Sequence, residues 1–174
     1  GVARFSYNWG LHYLNKYYED NKKSLSIGEL RKIFTKLRNS DEFPWLKEVS
    51  AEIPQQALKD LGEAFDKFFN KEAEYPKFKK KGKCEVSFFH LNNKFKVENK
   101  HISLEKIGYV KMKDEDRLPV GNYKKDKIKV LNPRIKYNGK YWYLSLAIEL
   151  DDMEKQELTG ESVGVDLGIK DLAI

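Results

Sequence analysis

The amino-acid sequence predicts an α+β protein in which helices precede antiparallel strands. Apolar residues recur with a helical period through the first 75 residues, and short alternating runs replace them after Pro76. Because the two patterns follow one another and do not alternate, a parallel sheet built from βαβ units is not expected. We therefore divide the 174 residues into a helical part, residues 1–75, a β part, residues 76–158, and the first strand of a further domain, residues 159–174.

Three helices are predicted in the helical part. Between residues 2 and 19, aromatic side chains recur at a spacing of four, which places them on one face of a helix. Ser26 and Glu29 have the spacing of a capping box, which predicts the start of a second helix. Residues 40–50 interrupt the pattern with a short helical turn, and Pro54 suits the first position of a third helix.

The β part contains several short runs with strand-like patterns, of which residues 126–150 form the clearest hairpin. Asn138-Gly139 is the dipeptide that the two-residue type I′ hairpin turn prefers. Beyond the turn, the even-numbered residues from Trp142 onward are more apolar than Tyr141, Tyr143 and the odd-numbered residues that follow. We therefore expect the even-numbered side chains to face the core. The remaining strands are predicted within residues 83–91, 94–99, 101–106 and 107–112.

The composition indicates a globular protein, with 34% charged and 40% apolar residues. No stretch approaches the roughly 20 apolar residues of a membrane span, so no membrane partner is expected. The single cysteine, Cys84, excludes an intrachain disulfide and an all-cysteine zinc site, which fits a reduced, intracellular setting. The net charge of +6 and the isoelectric point near 9.1 favour a polyanionic partner.

The densest basic stretch is "YPKFKKKGK", residues 75–83, at the junction between the helices and the strands. Ammonium groups at an exposed junction can neutralise phosphates, and aromatic residues between them can stack on bases. A solvated turn that lysines keep soluble is the alternative interpretation. The candidate binding residues here are Lys77, Phe78, Lys79, Lys80, Lys81 and Lys83.

Two helices supply further candidates for nucleic-acid binding. Arg4 and Asn8 are four residues apart, so they lie on one side of the first helix and can meet a phosphate or a base edge together. The neighbouring aromatic residues Phe5 and Trp9 are assigned to the core. In the first turns of the third helix, the helix dipole also favours anions. The candidates there are Gln55, Gln56 and Lys59.

A different chemistry is indicated near the C-terminus, where "SVGVDLGIKDLAI" brings a strand directly to Asp166. Gly164 and Gly168 let backbone pass close to this carboxylate, as a site for Mg²⁺ requires. Phosphodiester cleavage with two metal ions needs such a carboxylate together with others from distant segments. Two alternatives remain: a solvent-facing aspartate at a strand end, and the opening strand of an actin-like ATPase.

Four stretches together resemble one family. In order, "ARFSYNWGL", "FPWLKEVSAEIPQQALKDLGEAFDKFFN", "YPKFKKKGK" and "SVGVDLGIKDLAI" are similar to the OrfB/TnpB proteins of IS200/IS605-type transposons, relatives of the type V CRISPR nucleases. The resemblance implies a helical recognition part, a wedge-like antiparallel β-barrel and the start of a RuvC-like nuclease domain of RNase H fold. It implies guide RNA and target DNA as partners, a prokaryotic cytoplasmic or nucleoid location, and Asp166 as the first of three acidic residues that hold Mg²⁺.

The sequence also departs from the pattern of that family. The strand that usually precedes the "RF.YN" helix, the later RuvC acidic residues and the cysteine-rich zinc ribbon are not in this sequence. We therefore interpret the chain as a fragment, a processed form or a naturally truncated protein, and expect zinc only in the missing C-terminal part. By itself, the chain is expected to be inactive as a nuclease. The alternative function is a non-catalytic DNA- or RNA-binding module or regulator derived from a truncated transposon protein.

Overall fold

The computed structural model describes residues 1–91, 94–98, 100–113 and 129–149. Helices come first and antiparallel strands follow, which confirms the α+β prediction. The helices are α1 (Val2–Asn21), α2 (Ile27–Asn39) and α3 (Glu52–Phe69), with one 3₁₀ turn (Pro44–Lys47) before α3. The strands are β1 (Val86–Phe89), β2 (Lys96–Glu98), β3 (His101–Leu104), β4 (Gly108–Lys111), β5 (Lys129–Tyr137) and β6 (Trp142–Glu149).

Two antiparallel three-stranded sheets make up the β part, with strand orders β1-β5-β6 and β2-β3-β4. In the ranges that the structure describes, these sheets do not close into a barrel. They share a core, because Ile135 of β5 is buried in one cluster with Val97 and Ile102 of the other sheet. The linker and the predicted RuvC-like strand, residues 151–174, lie outside the described residues and Asp166 with them.

The predicted capping box at the start of α2 is confirmed. The backbone N–H of Glu29 donates to the Ser26 hydroxyl oxygen at 3.2 Å, and the Ser26 N–H donates to the Glu29 carboxylate at 3.1 Å. The third helix begins two residues earlier than predicted, at Glu52, so the prediction for Pro54 is wrong. Proline is still tolerated at this third position, since the first four N–H groups of a helix have no intrahelical acceptor.

The core of the helical part forms where α1 crosses α3 and α2. Gly10 is buried at this crossing, and a Cβ atom there would lie 2.6 Å from Leu58 Cδ2 and 3.0 Å from Leu61 Cδ2. The absence of a side chain therefore lets α1 approach α3 closely. Phe5 and Trp9 pack against the same core, as predicted.

The β5–β6 hairpin is present, but its turn differs from the predicted type I′ turn. The strands end at the pair Tyr137 and Trp142, and Gly139 takes a positive φ of 98° whereas Asn138 does not. The two central residues are therefore Gly139 and Lys140, with glycine first, as in a type II′ turn. Asn138 stays outside because its Oδ1 accepts the backbone N–H groups of Lys140 (3.0 Å) and Tyr141 (2.8 Å).

Strand β5 contains a bulge at Asn132-Pro133. These two residues lie opposite one residue of β6, between the pairs Leu131–Ala147 and Arg134–Ser145, and Asn132 has a positive φ of 51°. Pro133 has no N–H to donate to the sheet, and a bulge is one of the few places where a strand accepts proline. Its carbonyl oxygen instead accepts the backbone N–H of His90 at 2.9 Å, which fixes the end of β1 on β5.

The predicted core face of β6 is confirmed in its middle, whereas its first residue lies on that face but is largely exposed. Leu144 and Leu146 pack against the shared β core. Trp142 has the same orientation along the strand but is 58% exposed. Its ring centroid lies 4.9 Å from that of Tyr137 and 6.3 Å from that of Phe88, which itself packs against the buried cluster.

Candidate nucleic-acid interface

Residues 75–83, here called the lysine segment, lie along α1. The Tyr75 hydroxyl donates to Asn15 Oδ1 at 2.6 Å. Four residues later, the backbone N–H of Lys79 donates to Asn8 Oδ1 at 2.8 Å, and Asn8 Nδ2 donates to the Lys79 carbonyl oxygen at 3.0 Å. Since residue 75 meets residue 15 and residue 79 meets residue 8, the segment runs antiparallel to α1.

The side chain of Lys79 is part of the attachment. Its ammonium lies 4.0 Å from the centroid of the Tyr7 ring, a cation–π contact. Tyr7 is buried, and burial raises the pKa of its hydroxyl, with a smaller contribution from the negative charge of Asp60. Lys79 therefore contacts α1 through its side chain as well as through its backbone.

The other lysines of the segment differ in their surroundings. Lys77 forms an ion pair with Glu74, and this hydrogen bond holds the pKa of the Glu74 carboxyl below its usual value. Lys80 and Lys83 enclose a turn in which the Lys83 N–H donates to the Lys80 carbonyl at 3.2 Å. Lys80, Lys81 and Lys83 are exposed and, among the residues described, have no ion-pair partner. Three ammonium groups are therefore grouped at the end of an attached segment.

Of the two α1 candidates, only Asn8 is brought to the lysine segment by a direct contact. Its amide holds the main chain of Lys79, so its observed role is to position that segment. Arg4 is partly buried one turn earlier on the same side of α1, in the direction in which the segment runs. Among the described residues, its guanidinium forms no hydrogen bond or ion pair. Phe78, the remaining candidate, precedes Lys79 and is 50% exposed.

The α3 candidates point to different neighbours. Gln55 accepts a hydrogen bond from Arg31 Nε at 2.7 Å and donates one to Thr35 Oγ1 at 3.0 Å, so it connects α3 to α2. The next residue, Gln56, donates to Asp60 at 2.8 Å on its own helix. Lys59 is exposed. The structure therefore does not bring Gln55 and Gln56 together as one recognition surface.

The helical part and the β part meet through polar contacts on both sheets. The carboxylate of Asp60 on α3 lies 3.7 Å from the guanidinium of Arg134 on β5. Glu105 follows β3 of the other sheet, and its pKa is lowered first by a hydrogen bond from Lys94 and next by one from Ser50, which precedes α3. The lysine segment thus connects two parts that also contact each other directly.

The sequence pattern did not indicate the residues that hold the lysine segment. The aromatic spacing of α1 indicates a core position for Tyr7 and no contact with Lys79, and nothing in the pattern singles out Asn15. No group of three or more His, Cys, Asp or Glu side chains that could hold a metal occurs in the described ranges. The described helices also include none that is long and apolar enough to cross a bilayer.

Two curated relatives match almost the whole chain. It is 30% identical over 173 residues to "Putative RNA-guided DNA endonuclease InsQ" of Escherichia coli (strain K12), covering 99% of this chain and 41% of that protein. It is 28% identical over 173 residues to "Putative RNA-guided DNA endonuclease" of Streptomyces pristinaespiralis, covering 99% and 42%. No protein-family model matches the chain.

By these similarities, the chain is an α+β homologue of proteins that are named RNA-guided DNA endonucleases. They confirm the relationship to the transposon-associated OrfB/TnpB family that the four sequence stretches predict. The chain spans about two fifths of the length of these curated relatives.

Proposed function

We propose that this chain is the nucleic-acid-binding N-terminal part of an RNA-guided DNA endonuclease, and that the lysine segment contacts the sugar–phosphate backbone of the guide RNA. The names of the two relatives support RNA and DNA as partners. The observation that carries the proposal is the attachment of Lys79 to Asn8 and Tyr7. It orders the backbone before binding, so less conformational entropy is lost when phosphates meet Lys80, Lys81 and Lys83.

The finer assignments form part of the same proposal. Residues 1–75 would act as the recognition part and residues 76–158 as a wedge-like barrel, in a prokaryotic cytoplasm where RNA and DNA are both accessible. Arg4 and the α3 residues would lie near the DNA motif that flanks the target. Residues 159–174 would begin the RuvC-like domain, with Asp166 as its first acidic residue and Mg²⁺ as the ion that it helps to hold. The α3 residues in this proposal are Gln55, Gln56 and Lys59.

The test is the salt dependence of RNA binding. The variant K80A/K81A/K83A removes three charges, and each lost phosphate contact lowers the slope of log affinity against log salt by about 0.7–0.9. We therefore expect the slope to fall by about 2–3 units. The matched control K23A/K32A/K36A removes the same number of exposed charges from the α1–α2 loop and α2. Equal slopes in the two variants would contradict the proposal, because the effect would then follow net charge alone.

A further inference from the structure

Two exposed tyrosines stand at the end of the β5–β6 hairpin, far along the chain from the lysine segment. Tyr141 is 46% exposed and Tyr143 is 48% exposed. Tyr143 lies in β6, and Tyr141 is the last residue of the turn that precedes it. Asn138 contacts both, because its Oδ1 accepts the Tyr141 backbone N–H at 2.8 Å and its Nδ2 donates to the Tyr143 hydroxyl oxygen at 3.1 Å. We call this pair the tyrosine face.

The tyrosine face does not contribute to the core. The alternate residues Leu144 and Leu146 point to the opposite face and pack against the buried β cluster. Residues on the tyrosine side are paired with polar ones, since Tyr143 lies opposite Lys136 and the following Ser145 lies opposite Arg134. Core packing therefore does not explain why two large aromatic rings are retained on this side.

Cations from two separate segments approach the ring of Tyr141. The Lys140 ammonium lies 5.1 Å from the Tyr141 ring centroid, and the Lys113 ammonium, which follows β4, lies 5.7 Å from it. On the neighbouring strand, Lys136 is opposite Tyr143 and pairs with Glu85 at 3.1 Å. An occupant of this surface therefore meets π faces and positive charges together.

This combination matches the chemistry of an unpaired nucleotide. A nucleotide carries a planar base that can stack on tyrosine and a phosphate that lysine can neutralise. Bases in a duplex have both faces covered, whereas RNA loops and single strands present unpaired bases to aromatic side chains.

We propose that Tyr141 and Tyr143 form a stacking site for unpaired RNA nucleotides, with Lys113 and Lys140 contacting the adjacent phosphates. This inference rests on the proposed function, because it assumes RNA as a partner, and it adds a second surface that recognises bases. The lysine segment supplies contacts that depend on salt. The tyrosine face supplies contacts that depend on the presence of bases.

The experiment uses the full chain and a 12-nucleotide single-stranded RNA with one 2-aminopurine, whose fluorescence is quenched by stacking. In Y141L/Y143L we expect affinity to fall about tenfold or more and quenching to be lost. The salt slope should not change, because leucine removes the aromatic ring but no charge. Y141F/Y143F should retain wild-type quenching. Y18L alters an exposed α1 tyrosine, 58% exposed, and serves as the matched control.

A second measurement does not depend on a variant that folds. The unmodified chain should bind an abasic RNA of the same length about tenfold or more weakly than the base-carrying RNA. Equal binding of the two RNAs, or unchanged quenching in Y141L/Y143L, would overturn the stacking site. Equal quenching by the matching DNA strand would also overturn it, because the site would then not be one for RNA.

The two proposals fail in different ways. If the chain binds no RNA at low salt, the proposed function fails and the stacking site fails with it. If RNA binds with a salt slope that K80A/K81A/K83A lowers, but Y141L/Y143L binds it as tightly as the unmodified chain, only the stacking site fails.

Discussion

Replacing Asn8 by alanine removes both hydrogen bonds that hold the backbone of Lys79 against α1. Each such bond contributes about 0.5–1.5 kcal/mol net, so the attachment should weaken by about 1–3 kcal/mol. Alanine also favours helix by up to about 0.7 kcal/mol over asparagine. This gain does not change the free energy of detaching the lysine segment, because α1 is helical in both the attached and the detached form.

The assay is hydrogen exchange at the Lys79 amide, whose N–H donates to Asn8 in the closed form. A loss of about 1–3 kcal/mol corresponds to exchange about 5- to 150-fold faster in N8A. The matched control is N21A, because Asn21 is also on α1 but its amide bonds only to the Tyr17 carbonyl of the same helix. If the Lys79 amide exchanges at the same rate in N8A, N21A and the unmodified chain, the two Asn8 hydrogen bonds do not hold the lysine segment.

The remaining predictions concern stability and activity. G10A should lower the free energy of unfolding, measured in urea, by about 1–3 kcal/mol, because the new Cβ would lie 2.6 Å from Leu58 Cδ2. The control G28A should not destabilise the protein, because the nearest atom to its new Cβ is Ser26 Oγ at 3.9 Å. Equal stabilities of the two variants would refute the close crossing of α1 and α3. S26A should cost about 1 kcal/mol near neutral pH. The hydrogen bond from Ser26 lowers the pKa of Glu29 in the folded state. The stability that this bond contributes is therefore present above the ordinary value of 4.5 and is lost as pH falls through the lowered pKa. In thermal melts, a stability difference between S26A and the unmodified chain that stayed constant down to pH 2 would contradict this. Residues 1–174 alone should not nick DNA in Mg²⁺, because two-metal cleavage needs several carboxylates and Asp166 is one; nicking that D166A abolishes would refute this expectation.

The order of the elements was predictable because it depends on local periodicity. The aromatic spacing in α1, the Ser26–Glu29 box and the alternation in β6 each act within a few residues; the first two are confirmed, and the third is confirmed from Leu144 onward. The register of the β5–β6 turn was harder to predict from the sequence. It depends on the Asn138 side chain, which accepts hydrogen bonds from the backbone N–H groups of Lys140 and Tyr141. A dipeptide preference does not include that competition.

The arrangement of the candidate interface was not predictable from local patterns. The lysine cluster was visible as composition, but its attachment depends on contacts across 71 residues, from Asn8 to Lys79, and across 60 residues, from Asn15 to Tyr75. Periodicity also could not separate Gln55 from Gln56, because adjacent residues on a helix project about 100° apart and meet different neighbours. Such differences arise only when the helices pack.

The path of the lysine segment has a thermodynamic consequence. It is the covalent connection between α3 and β1, and it is also held along α1, so separating the two halves of the molecule would peel it away. A ligand that binds only the attached form must oppose that separation by mass action. A polyanion bound at Lys80, Lys81 and Lys83 would therefore stabilise the contact between the helical part and the β part. The free energy of separating the two parts should rise with the logarithm of the ligand concentration.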